Sequence, residues 1–249
     1  MSSLVPRLLS ALACAALALL PWRPTVAAEF TPAQRQAIET IVHDYLTNNP
    51  DVLVGALRAA KSKLDREADA KTAALIADHR QQIYDDPQTP VGGNPHGDVS
   101  LVEFFDYRCP YCKETQPALD KLLAQTPRLR LVYKELPILG RVSVTAAHAA
   151  LAAQRQGKYE AFHRAMMAAH GNMTDATVFQ VARSVGLDVE RLQRDMAAPD
   201  IGKAIAANIK LADALEINGT PAFVIGERMV PGAIDLAGLQ QLLADRGKN

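Results

Sequence analysis

Leu101-Val102-Glu103-Phe104-Phe105-Asp106-Tyr107-Arg108-Cys109-Pro110-Tyr111-Cys112-Lys113 is the stretch whose reading decides the fold. Residues 101–105 form a short apolar run broken by one carboxylate. Gly97-Asp98 precedes it and a polar turn follows, the pattern of a buried strand. Pro110 suits the first turn of a helix, where its missing N–H loses no bond, and that helix continues through Leu119, Leu122 and Leu123. The Cys-x-x-Cys thus opens a helix, where the macrodipole and free N–H groups stabilise a thiolate. Two cysteines at this spacing can close a disulfide across the first turn, so the pair is a reversible two-electron couple. Cys109, nearer the helix end and solvent, is the expected nucleophile; Cys112, one turn further in, is the expected resolving thiol.

Other uses of the pair fit less well. Zinc wants four ligands, and no second cysteine pair or His-x3-5-His follows. A structural disulfide over so short a loop adds little stability. The rest of the chain favours chemistry. Residues 1–28 read as a secretory signal: Arg7 supplies the charge, residues 8–20 the apolar core and Val26-Ala27-Ala28 the cleavage site. The apolar run is too short to span a membrane. A lipoprotein reading of Cys14 fits poorly, because the apolar core runs past it. Cleavage would remove Cys14 and leave, of three cysteines, only the two in the motif. An exported chain with one pair does not hold itself together by disulfides. The expected location is the periplasm, with no membrane insertion after cleavage. The formal net charge of +0 gives no electrostatic case for nucleic acid.

Residues 29–86 read as an N-terminal helical extension. Thr31-Pro32 is an N-cap and first turn, Ile38, Ile41, Val42, Tyr45 and Leu46 recur at helical spacing, and Asn48-Asn49-Pro50 breaks the helix. A longer helix then runs from Pro50 to Ile76 with a narrow, alanine-rich face. Leu57 and Leu64 are one heptad apart, but Lys71 takes the next step, so a long coiled coil is not supported. Packing on the domain that follows, self-association through this segment and a solvated linker helix all stay open. Residues 87–97, with Pro87, Pro90, Gly92-Gly93 and Asn94-Pro95, read as a linker at a domain boundary. Within 98–249 a second strand is expected from Leu129. A helical stretch over about 141–215 is punctuated at Gly157, Gly171, Gly186 and Pro199. A hairpin from Ala222 to Val230 and a last helix from Leu236 follow.

Strand, motif helix, strand, helical insertion, hairpin and helix, in that order, resemble the thioredoxin superfamily. Within it, the insertion and the run from Phe104 to Cys112 resemble the DsbA-like periplasmic disulfide oxidoreductases, over roughly residues 88–247. Residues 29–86, with Asn49-Pro50-Asp51-Val52-Leu53, resemble the extension of the ScsC-type (suppressor of copper sensitivity) branch. The implied fold is an α/β thioredoxin fold with an all-α insertion, preceded by a helical extension. The implied activity is thiol–disulfide exchange without a cofactor or a resident metal. Its partners would be exported proteins with cysteines or disulfides and a membrane redox partner, and members with such an extension can be homo-oligomeric isomerases.

The resemblance also assigns residues. Pro110 and Tyr111 set the redox poise. Where the strongly oxidising DsbA carries a histidine, this chain has Tyr111, which implies a less stabilised thiolate than DsbA's pKa of ~3.5 and a weaker oxidant. Glu103 falls where the family buries a carboxylate that exchanges a proton with the inner cysteine. An outward-facing edge residue is the alternative, and Lys134 is a candidate partner. Thr220-Pro221 falls at a cis-proline that docks substrate, and Thr there is frequent among isomerases. Three functions follow: isomerase or reductase, DsbA-type oxidase, or a copper-tolerance protein holding Cu(I) through both thiolates. His163 and His170, which could share a helix face with Met166 and Met167, prompt the copper reading but read better as packing or surface residues.

Overall fold

A computed structural model describes residues 29–245. The signal-sequence reading of residues 1–28, Cys14 included, lies outside the described residues. The chain divides into two compact units, Met1–Lys61 and Ser62–Asn249.

In the first unit, α1 (Pro32–Asn48) starts from the cap its sequence announces. Thr31 Oγ1 accepts from Gln34 N–H while Gln34 Oε1 accepts from Thr31 N–H, a reciprocal capping box. α1 stops at Asn48, and α2 (Pro50–Asp78) begins with proline in its first turn. No described residue of this unit is buried, and Ile41, Tyr45, Leu53 and Leu57 are each at least half exposed.

The second unit holds the rest of α2, then α3 (Arg80–Tyr84) and strands β1 (Val91–Gly93) and β2 (Val99–Phe105). α4 (Pro110–Gln125) and β3 (Leu129–Glu135) follow. The insertion is all helical: α5 (Arg141–Gln154), α6 (Tyr159–Ala168), α7 (Asp175–Ser184), α8 (Val189–Met196) and α9 (Pro199–Ala214). The chain then forms the hairpin β4 (Ala222–Ile225) and β5 (Arg228–Pro231) and ends on α10 (Leu236–Asp245). The five strands lie in the order β1-β3-β2-β4-β5, with β2 and β3 parallel and every other pair antiparallel. This is the thioredoxin-type fold with a helical insertion that the motif order implied.

Side-chain alternation on the sheet divides the interior in two. Leu101 and Phe105 of β2 face a core with Leu119 and Leu122 of α4, Tyr133 of β3 and Phe162 of α6. Val102 and Phe104 face a second core with Val132, Val224 and Leu215, closed by Ile76, Ile83 and Tyr84.

Two boundaries differ from the sequence reading. Residues 62–86 belong to the second unit, because Ile76, Ile83 and Tyr84 complete its second core. The linker read over residues 87–97 contains β1, an edge strand paired with β3 from Val91↔Val132 to Gly93↔Arg130. Its glycines serve close approach rather than a loose turn. A Cβ on Gly92 would sit 2.7 Å from the Tyr133 hydroxyl, and one on Gly93 would sit 2.6 Å from the Leu129 carbonyl oxygen at a φ of +69°.

Ile83→Ala tests the inclusion of α3 in the domain. The side chain is fully buried, so urea unfolding of the second unit should lose about 2–5 kcal/mol. A detached arm would leave the midpoint where it was.

Candidate functional site

The register of the sheet builds the site. β2 and β4 run antiparallel with Phe104 opposite Ala222, so the chain leaving the end of β2 passes the chain entering β4. Cys109 and Thr220 are thereby brought together across 111 residues: the Cys109 thiol donates to the Thr220 carbonyl at 3.1 Å. The Thr220–Pro221 bond is cis.

Cys109 is the N-cap of α4 and Pro110 opens the helix. The thiol lies at the N-terminal end of α4. It is 4% exposed against 0% for Cys112, so Cys109 is the more accessible of the two thiols. Both cysteines are free. Tyr111, between them, is exposed. Burial, then the charge of Glu103, pushes the Cys112 thiol well above the ordinary thiol range. Cys112 therefore holds its proton until a base takes it.

Glu103 lies on the inward-facing side of β2, fully buried. The outward-facing alternative is thereby excluded. Neither carboxyl oxygen has a hydrogen-bond partner among the described residues, and burial raises its pKa to about 8. Lys134 is not its partner. In the parallel register Glu103 pairs with Tyr133 and Lys134 with Phe104, which places Lys134 on the other face. There its Nζ donates to Thr89 Oγ1 at 2.7 Å and to Asp86 Oδ2 at 3.4 Å.

Two further residues shape the turn, and sequence reading missed them. Buried Asp106 accepts from Arg108 N–H at 2.8 Å and from Leu139 N–H at 2.9 Å, and its carbonyl accepts from Cys109 N–H at 3.0 Å. The Asp106–Arg108 half is an Asx turn, a local signal that could have been found; the bond to Leu139 had no such signal. Lys113 Nζ donates to the carbonyls of Met166, Met167 and Ala169, at 2.7, 3.2 and 2.9 Å. A cation is favourable at that C-terminal end of α6, and the contact ties α4 to the insertion.

The histidine–methionine face dissolves. α6 ends at Ala168, before His170, while His163, Met166 and Met167 are buried. Among the described residues no group of three or more His, Cys, Asp or Glu side chains could hold a metal, and no described helix is long and apolar enough to cross a membrane.

Residues 100–244 match the DSBA-like thioredoxin domain family, and residues 34–61 match the copper resistance protein ScsC N-terminal domain. A thioredoxin-like oxidoreductase from Silicibacter pomeroyi DSS-3 is 50% identical, with a TM-score of 0.66 over 68% of this chain and 97% of that one. A linker-deletion variant of Proteus mirabilis ScsC is 27% identical, with a TM-score of 0.68 over 88% of this chain and 98% of that one. The Na(+)/H(+) antiporter NhaA 1 of Salinispora arenicola is 30% identical over 151 residues, 60% of this chain and 23% of the antiporter. The chain thus spans about a quarter of the length of the curated relatives it matches.

Glu103 makes the site pH-sensitive. Its folded pKa of about 8 lies above the ordinary 4.5, so the folded state keeps a proton that the unfolded chain gives up. Its contribution to stability is therefore lost as pH rises from about 4.5 through about 8, and stays constant above. Relative to Glu103→Gln, the natural protein should lose on the order of 5 kcal/mol of unfolding free energy between those limits. Denaturant unfolding of both proteins at several pH values checks this; parallel profiles would show that Glu103 is not held protonated.

Proposed function

We propose that this chain, which belongs to the DSBA-like thioredoxin domain family, is a thiol–disulfide oxidoreductase of the DsbA/ScsC type and works as a disulfide isomerase or reductase on exported proteins in the periplasm. The observation that carries the exchange chemistry is the Cys109 thiol at a helix N-terminus, 3.1 Å from the Thr220 carbonyl. Beneath it lie a protonated Cys112 and the buried acid Glu103.

The Cys109 thiolate attacks one sulfur of a substrate disulfide. A mixed disulfide forms, and the other substrate sulfur leaves as a thiolate. In isomerisation a second substrate thiolate attacks the substrate sulfur of that bond, and Cys109 departs as the thiolate it began as. In reduction Cys112 passes its proton to the Glu103 carboxylate and attacks Cys109 Sγ. The second substrate thiolate leaves, and the enzyme, two electrons poorer, holds a Cys109–Cys112 disulfide. A carboxyl that titrates near pH 8 can take and return that proton close to neutrality.

Three features favour this direction over oxidation. Tyr111 puts no cationic ring beside the thiolate. Thr220 precedes the cis-proline, as in many isomerases. The N-terminal unit exposes Ile41, Tyr45, Leu53 and Leu57, apolar surface that a second copy of the chain would cover. The proposed assembly is a homo-oligomer through residues 29–61, which would set several Cys109 thiols around one substrate. A membrane redox partner would keep the pair reduced. Oxidase and Cu(I)-binding functions are the rivals.

A Cys109–Cys112 potential near the ~−180 mV of protein disulfide isomerase, or lower, is expected; a value near DsbA's ~−120 mV makes the protein an oxidase. Refolding of a scrambled substrate supplies the second readout, since an isomerase restores its activity and an oxidase only fills disulfides. Tight stoichiometric Cu(I) binding with no exchange would favour the copper role. Deleting residues 29–61 should convert the oligomer to monomers in sedimentation and depress isomerisation more than simple reduction. Unchanged sedimentation behaviour would remove the assembly from the proposal.

A further inference from the structure

Behind the active-site turn lies a buried polar chain that thiol exchange does not use. Glu135 Oε1 is 3.1 Å from the Tyr107 hydroxyl and 2.8 Å from the Tyr159 hydroxyl. The Tyr107 hydroxyl is also 3.2 Å from His163 Nδ1, and His163 Nε2 is 3.1 Å from Gln116 Oε1. Gln116 Nε2 donates to Asp120 Oδ1 at 3.1 Å, and the Arg164 guanidinium lies 3.5 Å from the same oxygen. The chain starts under the sheet and ends at a part-exposed carboxylate.

The direction of each bond follows from the outer end. The Asp120 oxygen accepts, so Gln116 turns its NH2 outward and its carbonyl toward the histidine. That carbonyl needs a donor, so His163 carries a proton on Nε2. A neutral ring then offers a lone pair at Nδ1, and the Tyr107 hydroxyl donates to it. The Tyr107 oxygen is left to accept, and Glu135 can supply it only as a carboxylic acid. One other arrangement completes every bond. The Glu135 proton moves to the Tyr107 oxygen while the Tyr107 proton moves to His163 Nδ1, leaving a carboxylate and an imidazolium. The proton count is the same in both. Removing the Glu135 proton without charging His163 leaves two lone pairs facing each other inside the core.

We propose that Glu135 and His163 hold one proton in common through the Tyr107 hydroxyl, and that this chain positions the proton chemistry of the site by keeping Glu135 uncharged. Glu135 and Glu103 face the same side of the sheet, on neighbouring strands. With Glu135 held neutral, Glu103 is the carboxyl of that pair left to titrate beneath Cys112. The effect on Cys112 rests on the thiol-exchange reading; the proton count does not.

The surroundings select the neutral arrangement. His163 is fully buried and faces the charges of Arg164 and Lys113; burial first, then those cations, lowers its pKa to about 3. Glu135 is held well above the usual carboxylate range, first by burial and then by Asp106 and Glu103, against the pull of the Tyr159 hydroxyl. The rings of Phe105, Tyr133 and Tyr159 enclose His163 and leave water no place on it.

The test is nuclear magnetic resonance of the full, reduced chain with nitrogen-labelled histidine and carbon-labelled carboxyls. His163 should show the neutral Nε2–H form and Glu135 a protonated carboxyl, both unchanged while Glu103 titrates near pH 8. His163→Phe frees the Tyr107 hydroxyl to donate to Glu135. Glu135 should then lose its proton at a pH lower by about one unit or more, and the Glu103 midpoint should rise. Adding Glu135→Gln should return that midpoint. A purely structural role would lower stability without moving either midpoint, and that result overturns the proposal. So does a charged or Nδ1–H His163 in the natural protein, or a Glu135 ionised at neutrality, even if the variant fails to fold. An intact proton pattern in a protein inert toward disulfides supports the shared proton and overturns the exchange reading alone.

Discussion

Burial of β2 on both faces is the constraint from which the site follows. A strand covered on both sides must place apolar residues at nearly every position, and its alternation sends Leu101 and Phe105 into one core and Val102 and Phe104 into the other. Its C-terminal end delivers the chain to the Asp106 turn and the start of α4. Its antiparallel partner β4 brings Thr220 to the same place. Cys109 and the cis-proline loop therefore meet because two neighbouring strands run in opposite directions.

Within that buried sheet two carboxyls keep their protons, one inside a completed hydrogen-bond network and one with no partner among the described residues. An acid removed from water either finds hydrogen-bond donors or keeps its proton. Glu135 sits among tyrosine hydroxyls in a completed network. Glu103 has no partner among the described residues and titrates near pH 8. An unsatisfied acid is costly in a core, and here its charge, after burial, is the largest influence raising the Cys112 thiol.

Much of the architecture was legible because it depends on local physics. The Thr31 cap, the break at Pro50, the start of α4 at Pro110 and the punctuation of the insertion at Gly157, Gly171 and Gly186 are set by backbone preferences within a few residues. The misread segment failed for a reason of the same kind. Pro90, Gly92 and Gly93 carry the composition of a turn, yet the glycines are there because β3 and Tyr133 press against the edge strand. Composition cannot distinguish a glycine that bends from one that makes room.

By itself the sequence determined the Cys-x-x-Cys at a helix start, the alternation of strands and helices, and the presence of one carboxylate in an apolar strand, since each depends on near neighbours along the chain. Only the tertiary structure decided that Lys134 lies across the sheet from Glu103, that Thr220 meets Cys109, and that Tyr107, Glu135 and His163 form one buried chain. Those facts depend on strand register and helix packing, and register is set by the sum of many contacts between residues far apart in sequence.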